Sequence, residues 1–258
     1  MVNHPLSIVL IGAGNVGYHL GKQLKNCGLN IIQIFSRQAA KAQRLSNAIG
    51  APYITDLSNI ITDADLYIIA VNDGAIEEVA SRLNLEKGLV VHTSGATPST
   101  ILQLYFKRFG IFYPLQTFSV ARDIDFSSVP ICVYANNPSD EALLHKIGEQ
   151  ISKKVYHIND QQRAILHIGA VFVNNFTNHL FQIAYNITKN EHLSFDLLRP
   201  LIQETAAKVQ AHVPAEMQTG PAIRGDQQTI ERHLQYLEKF PAYKALYQIL
   251  TDSIKKDG

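Results

Sequence analysis

The sequence predicts an α/β fold: a doubly wound, mostly parallel sheet followed by an all-helical C-terminal domain. Three observations carry this. From Leu6 to about His157, short β-branched runs alternate with amphipathic stretches, the pattern of repeated βαβ units. Near Asn159 the character changes, and helical periodicity then dominates to Lys256 without a strand-like run. The length of 258 residues corresponds to two domains at roughly 150 residues each. The expected division is 1–158 and 159–258.

Taken in order, strands are expected at 6–11, 30–35, 66–71, 88–93, 109–113, 130–135 and 154–158, with Tyr53-Ile54 a candidate short one. Helices are expected between them at 15–27, 38–49, 74–83 and 139–152. In the C-terminal part they fall at about 160–187, 194–212, 226–238 and 242–255. Pro200 suits a first helical turn, Pro214 follows a helix, and Gly220-Pro221 breaks the region between helices. No internal repeat or low-complexity tract appears.

Apolar residues make up 46% of the chain and charged residues 17%, which supports a sizeable core and excludes disorder. Twenty-three Lys and Arg against 22 Asp and Glu leave +1, too little for a sequence-independent grip on nucleic acid or a membrane. A small molecule is the expected partner. Two cysteines, Cys27 and Cys132, argue against a disulfide framework and fit a reducing, cytoplasmic setting. Met1 to Ile11 lacks a basic leader, and no 18-residue apolar stretch occurs, so the expectation is a soluble protein.

The strongest local signal is the run 6–11 followed by Gly12-Ala13-Gly14-Asn15-Val16-Gly17 and a helix closing at Asn26-Cys27-Gly28. Gly12 permits the tight turn, Gly14 lets the backbone approach a pyrophosphate, and Gly17 lets helix and strand pack. This is the Rossmann dinucleotide fingerprint, with Gly12, Gly14, Asn15, Val16 and Gly17 against the cofactor. The next strand ends Ile34-Phe35-Ser36-Arg37-Gln38, with Lys41 one turn on and no carboxylate to hold a ribose 2′-hydroxyl. Ser36 and Arg37 suit a 2′-phosphate instead, so NADP is favoured over NAD. Val71 and Asn72, at a later carboxyl edge, are also expected to line the cofactor, while Asp73 reads as a helix cap.

Two further loops should face the nicotinamide. One is His92-Thr93-Ser94-Gly95-Ala96, the other Tyr113-Pro114-Leu115-Gln116-Thr117. His92 and Ser94 are candidate catalytic groups, Ser94 also touching the cofactor, and Tyr113 and Gln116 are candidate substrate ligands. On the helix that opens the C-terminal part, a regular period of about 100° per residue puts His167, Asn174 and Asn178 on one stripe. His167 and Asn174 read as catalytic and Asn178 as substrate-binding, in a cleft between the two domains; satisfied core polar groups are the competing reading.

These motifs, together with Pro114-Leu115-Gln116-Thr117-Phe118, the run from His167 to Phe176 and Thr219-Gly220-Pro221-Ala222-Ile223-Arg224-Gly225-Asp226, carry a resemblance. The chain resembles the Rossmann-like NADP oxidoreductase family with a helical C-terminal domain of unknown function. That implies kinship with pyrroline-5-carboxylate reductase, the β-hydroxyacid dehydrogenases and deazaflavin-dependent NADP oxidoreductase, whose helical domains often build dimers. One departure stands out: the lysine that β-hydroxyacid dehydrogenases carry four residues before an Asn is replaced by Ala170 or Val171. This weighs against hydroxyacid chemistry and leaves His167 or His92 as imidazole acids. Arg224 either clamps a substrate anion or pairs with Asp226. No HExxH, paired-cysteine or dense acidic pattern suggests a metal. The expected protein is an NADP-dependent reductase acting on a small carbonyl or imine in the interdomain cleft, assembled as a homodimer through Phe172, Phe176, Leu180 and Ile183. An NADP-binding regulatory protein without turnover is the alternative.

Overall fold

The computed structural model describes residues 5–257, so the first four residues of the stretch Met1–Ile11 lie outside the described residues. One compact unit runs to Asn174 and a second begins at Asn175. The first is built on eight strands: β1 (Ser7–Ile11), β2 (Asn30–Phe35), β3 (Tyr53–Ile54), β4 (Leu66–Ile69), β5 (Leu89–His92), β6 (Phe109–Pro114), β7 (Ile131–Ala135) and β8 (Val155–His157). Their order across the sheet is β3-β2-β1-β4-β5-β6-β7-β8. The order reverses beside β1, where the switch between its neighbours β2 and β4 opens the crevice used by ligands in such sheets.

The strands are apolar on both faces because both are covered. Along β1, Ile8 and Leu10 enter one core with Leu20 and Leu24 of α1 (Asn15–Asn26) and Leu45 of α2 (Ala39–Ile49). Val9 and Ile11 enter the opposite core with Ile76, Val79 and Ala80 of α3 (Ile76–Arg82). The period-2 alternation of side chains thus divides one strand between two hydrophobic layers. α4 (Pro138–Ile151) adds Leu144, Ile147 and Ile151 to the first layer, and Asn137 caps it by accepting from the Asp140 amide at 3.0 Å.

One strand departs from the parallel pattern: β7 runs antiparallel to β6, with Tyr113 opposite Cys132. The link 115–130 holds no α-helix, the usual crossover between parallel neighbours. The helix cap expected of Asp73 is not made; Asn72 holds the cap position of a short 3₁₀ turn and its side chain makes no cap bond.

The helix α5 (Asp160–Ala170) begins with a reciprocal capping box between Asn159 and Gln162. It passes into a π-helical segment at Val171–Phe176 and then α6 (Thr177–Asn190). Each i→i+5 turn takes up an extra residue. The regular stripe predicted from His167 through Asn174 therefore loses its phase.

In the second unit, α7 (Arg199–Ala211) carries Pro200 in its first turn, and α8 (Gln227–Tyr236) is capped by the Asp226 carboxylate, which accepts from the Thr229 amide at 3.0 Å. α9 (Pro241–Asp257) completes it. Asn186 donates to Tyr243 Oη at 2.9 Å, tying α6 to α9. No helix among the described residues is long and apolar enough to cross a membrane.

Candidate active site

The first half of the site is a cradle at the carboxyl end of β1. Gly12 adopts φ +114°, and a Cβ there would lie 2.2 Å from the Ala70 carbonyl oxygen. A Cβ on Gly17 would lie 2.0 Å from the Gly12 oxygen, so both glycines are demanded by close backbone approach. Gly14 differs: nothing among the described residues lies within 4 Å of where its Cβ would be. It holds the cap position of α1 without a side-chain bond, and the first turn of that helix has no acidic residue. The amides of this turn are left for an anion from outside the chain.

A pocket of about 140 Å³ continues from Gly12 and Gly14 past Ser36, Arg37 and Lys41 to Val71 and Asn72. Asn15 and Val16 follow in the first turn of α1 outside this lining. Ser36 is buried, and its Oγ accepts from the Gln38 amide at 3.3 Å, fixing the turn after β2. Arg37 is exposed, and its guanidinium lies 3.8 Å from the Glu78 carboxylate. An exposed pair at that distance binds weakly, so Arg37 is available to another anion. The cradle fits a dinucleotide: open amides for the pyrophosphate, and a hydroxyl with two cations where the adenosine ribose would lie.

The second half is the loop after β5. His92 is fully buried. Its Nδ1 accepts from the Ser94 amide at 3.2 Å and its Nε2 lies 3.4 Å from the Pro98 carbonyl, which sets the neutral Nε2–H tautomer. Burial, with the positive charge of Arg163 second, pushes its pKa down to about 4. Ser94 Oγ accepts from the amides of Ala96 and Thr97 at 3.1 and 2.9 Å and donates to Thr97 Oγ1 at 3.0 Å. Both side chains are thus engaged in shaping the loop.

That loop presents Gly95 to His167 and Tyr113. A Cβ on Gly95 would lie 2.5 Å from His167 Nδ1 and 2.8 Å from Tyr113 Oη. His167 is half-buried, and its Nδ1 is 3.5 Å from Tyr113 Oη. Burial pushes the Tyr113 phenol up to about 12, so it stays protonated. The structure therefore brings together three of the singled-out positions that lie 72 residues apart in sequence, from Gly95 to His167.

The remaining candidates are spread more widely. Gln116 is exposed, and its Oε1 accepts from the Thr117 amide at 2.8 Å. It lines a different pocket, of about 430 Å³, with Ser119, Arg122 and Asp125. Asn174 is half-buried in the π-helical segment, Asn178 is exposed on α6, and Arg224 is exposed in the turn before α8. Asp226 caps α8, and no ion pair joins it to Arg224 among the described residues.

Two residues escaped the sequence reading. Arg163, its side chain 1% exposed, donates from Nη1 to Asp160 at 2.7 Å and from Nη2 to the Thr97 carbonyl. Asp160 accepts from the amide and hydroxyl of Ser99 at 2.8 and 2.9 Å. The readable signal was Asp160 and Arg163 at i, i+3 with His167 four residues on, three polar groups on one side of a helix.

Residues 7–94 match the family described as NADP oxidoreductase, coenzyme F420-dependent, and residues 129–254 match a domain of unknown function, DUF2520. A candidate NADP oxidoreductase from Bacteroides fragilis is 39% identical, with 97% of this chain and 98% of that one covered at a TM-score of 0.91. The chain belongs to this family of Rossmann-fold NADP oxidoreductases with a DUF2520 domain. A Thermotoga maritima protein shares the family fold at 23% identity, over 97% of this chain and 98% of that one, with a TM-score of 0.79. An imine reductase from Myxococcus stipitatus, in complex with NADP+, has the same fold at 15% identity, 97% and 93% coverage and a TM-score of 0.70. No curated protein matches the chain.

Proposed function

We propose that the protein is an NADPH-dependent reductase that delivers hydride to a small carbonyl or imine, with His167 as the proton donor. The convergence of His167 and Tyr113 on the side-chain-free Gly95 carries this reading, because it sets an imidazole and a protonated phenol side by side, Nδ1 3.5 Å from Oη, against the loop after β5. When bound, the nicotinamide supplies the hydride, and reduction leaves an oxygen or nitrogen that requires a proton. His167 supplies it, Tyr113 donates a hydrogen bond that orients the acceptor, and His92 and Ser94 hold the loop that presents Gly95. The glycine loop and α1 bind the pyrophosphate, and Ser36 and Arg37 select the 2′-phosphate. The free cysteines suit a cytoplasmic setting.

Oxidation of NADPH followed against a panel of small keto acids, aldehydes and cyclic imines tests the reading. Turnover is expected, and His167→Ala should lower it by ~10²–10⁴-fold with NADPH affinity unchanged. Tight NADPH binding with no turnover across the panel points instead to a regulatory NADP-binding protein. Calorimetry should show NADPH binding more tightly than NADH, and Arg37→Ala should narrow the gap by about 1–3 kcal/mol. Equal affinities in the unmodified protein would remove the 2′-phosphate assignment.

The helical region is also proposed to join two copies. Phe172, Phe176 and Leu180 are exposed, with Ile183 partly buried, and Leu197 and Leu201 add exposed apolar surface at 70% and 62%. Exposed apolar residues at this density mark an association surface.

A further inference from the structure

The face of α5 that bears His167 is fastened to the loop after β5 at three points. Gly95 lies against His167, the Thr97 carbonyl accepts from Arg163, and the Ser99 amide and hydroxyl donate to Asp160. Asp160, Arg163 and His167 lie within about 60° of one another around the helix and span about 10 Å of its length. The loop therefore runs along one helix face, each contact meeting the next polar residue.

The middle contact is not an efficient way to gain stability. A guanidinium 1% exposed has lost its hydration, and its Nε–H finds no acceptor among the described residues. A buried ion pair with a donor left over gains little net stability over apolar packing, and what it confers is a defined arrangement. Arg163 is held by Asp160 within its own helix and reaches Thr97 on the loop, while Asp160 takes both donors of Ser99, so sliding the loop along α5 would break the Thr97 and Ser99 contacts together.

We infer that Asp160 and Arg163 are positioning residues that set the loop in register on α5 and so hold His167 against Gly95 and Tyr113. This rests on the reading of that convergence as the reaction site. Neither residue touches the place where substrate would sit; each acts through the loop.

The test uses the full chain. In the wild-type protein, nuclear Overhauser contacts should join the His167 ring to the Gly95 α-protons. Arg163→Met should abolish them, with NADPH affinity held within about twofold. Turnover should fall by about 10²-fold at unchanged KM for NADPH, as expected for a displaced catalytic group. Arg163→Lys should restore part of both. If Arg163→Met does not fold, Ser99→Ala decides: it removes one donor to Asp160 and should weaken the same contacts. Unaltered His167–Gly95 contacts in folded Arg163→Met, or in Ser99→Ala, would overturn the proposal, as would a loss of melting temperature with the contacts intact. Because the contacts are read without substrate, the outcome stands apart from whether any panel compound is turned over.

Discussion

A histidine buried in its neutral form must gain a proton when the chain unfolds in acid. His92, held at about 4 by burial against 6.5 for the free side chain, is such a group. Between those values the unfolded chain binds more protons than the folded one, so stability falls as pH drops from about 6.5 towards 4. At 1.36 kcal/mol per pH unit the loss reaches at most about 3 kcal/mol. Denaturant melts at neutral pH and at about pH 4.5 should show this slope, and His92→Gln should flatten it. Gly95 makes a complementary prediction. Gly95→Ala places a methyl 2.5 Å from His167 Nδ1, so the ring must move. Turnover should fall by about 10²-fold while NADPH affinity, measured by calorimetry, stays unchanged. His92, Ser94, Tyr113 and His167 were legible from their loops and helix, but their division of labour was not. Which of them shape the loop and which meet over Gly95 depends on hydrogen bonds between residues two to 54 positions apart.

Most of the elements were legible because the central strands are short apolar runs and several helices start at a cap or a proline, as at Asn137, Asn159 and Pro200. The glycine fingerprint even carries its own geometry: Gly17→Ala would push a methyl to 2.0 Å from backbone oxygen that has little freedom to retreat. Loss of NADPH binding together with a lowered melting temperature is the expected result, read by calorimetry and thermal unfolding. Asp226→Ala should be milder, costing ~1 kcal/mol in denaturant stability for a lost helix cap. Two features were not legible. The direction of β7 leaves no mark on a fully buried apolar run, since Ile131, Cys132 and Val133 would serve a parallel neighbour equally well. Nor does Val171–Phe176 announce its π-helical turn, because a continuous helix and one with an added residue per turn draw on the same residue types.

At the scale of the molecule, the proposed assembly predicts a concentration-independent mass of two chains in sedimentation at micromolar protein, and a monomer there would withdraw it. Leu201→Glu and Leu197→Glu should shift the mass toward one chain without changing the helical signal. The sheet itself is shut to such association. Its two edges are its shortest strands, Tyr53–Ile54 with two residues and Val155–His157 with three. Lys153 and Lys154 stand immediately before the second. A passing strand finds too few open amides and carbonyls at either margin to form a lasting ladder, and at one of them it meets positive charge. An apolar eight-stranded sheet is a template for fibrous growth if left unguarded; here the guard is brevity at both ends.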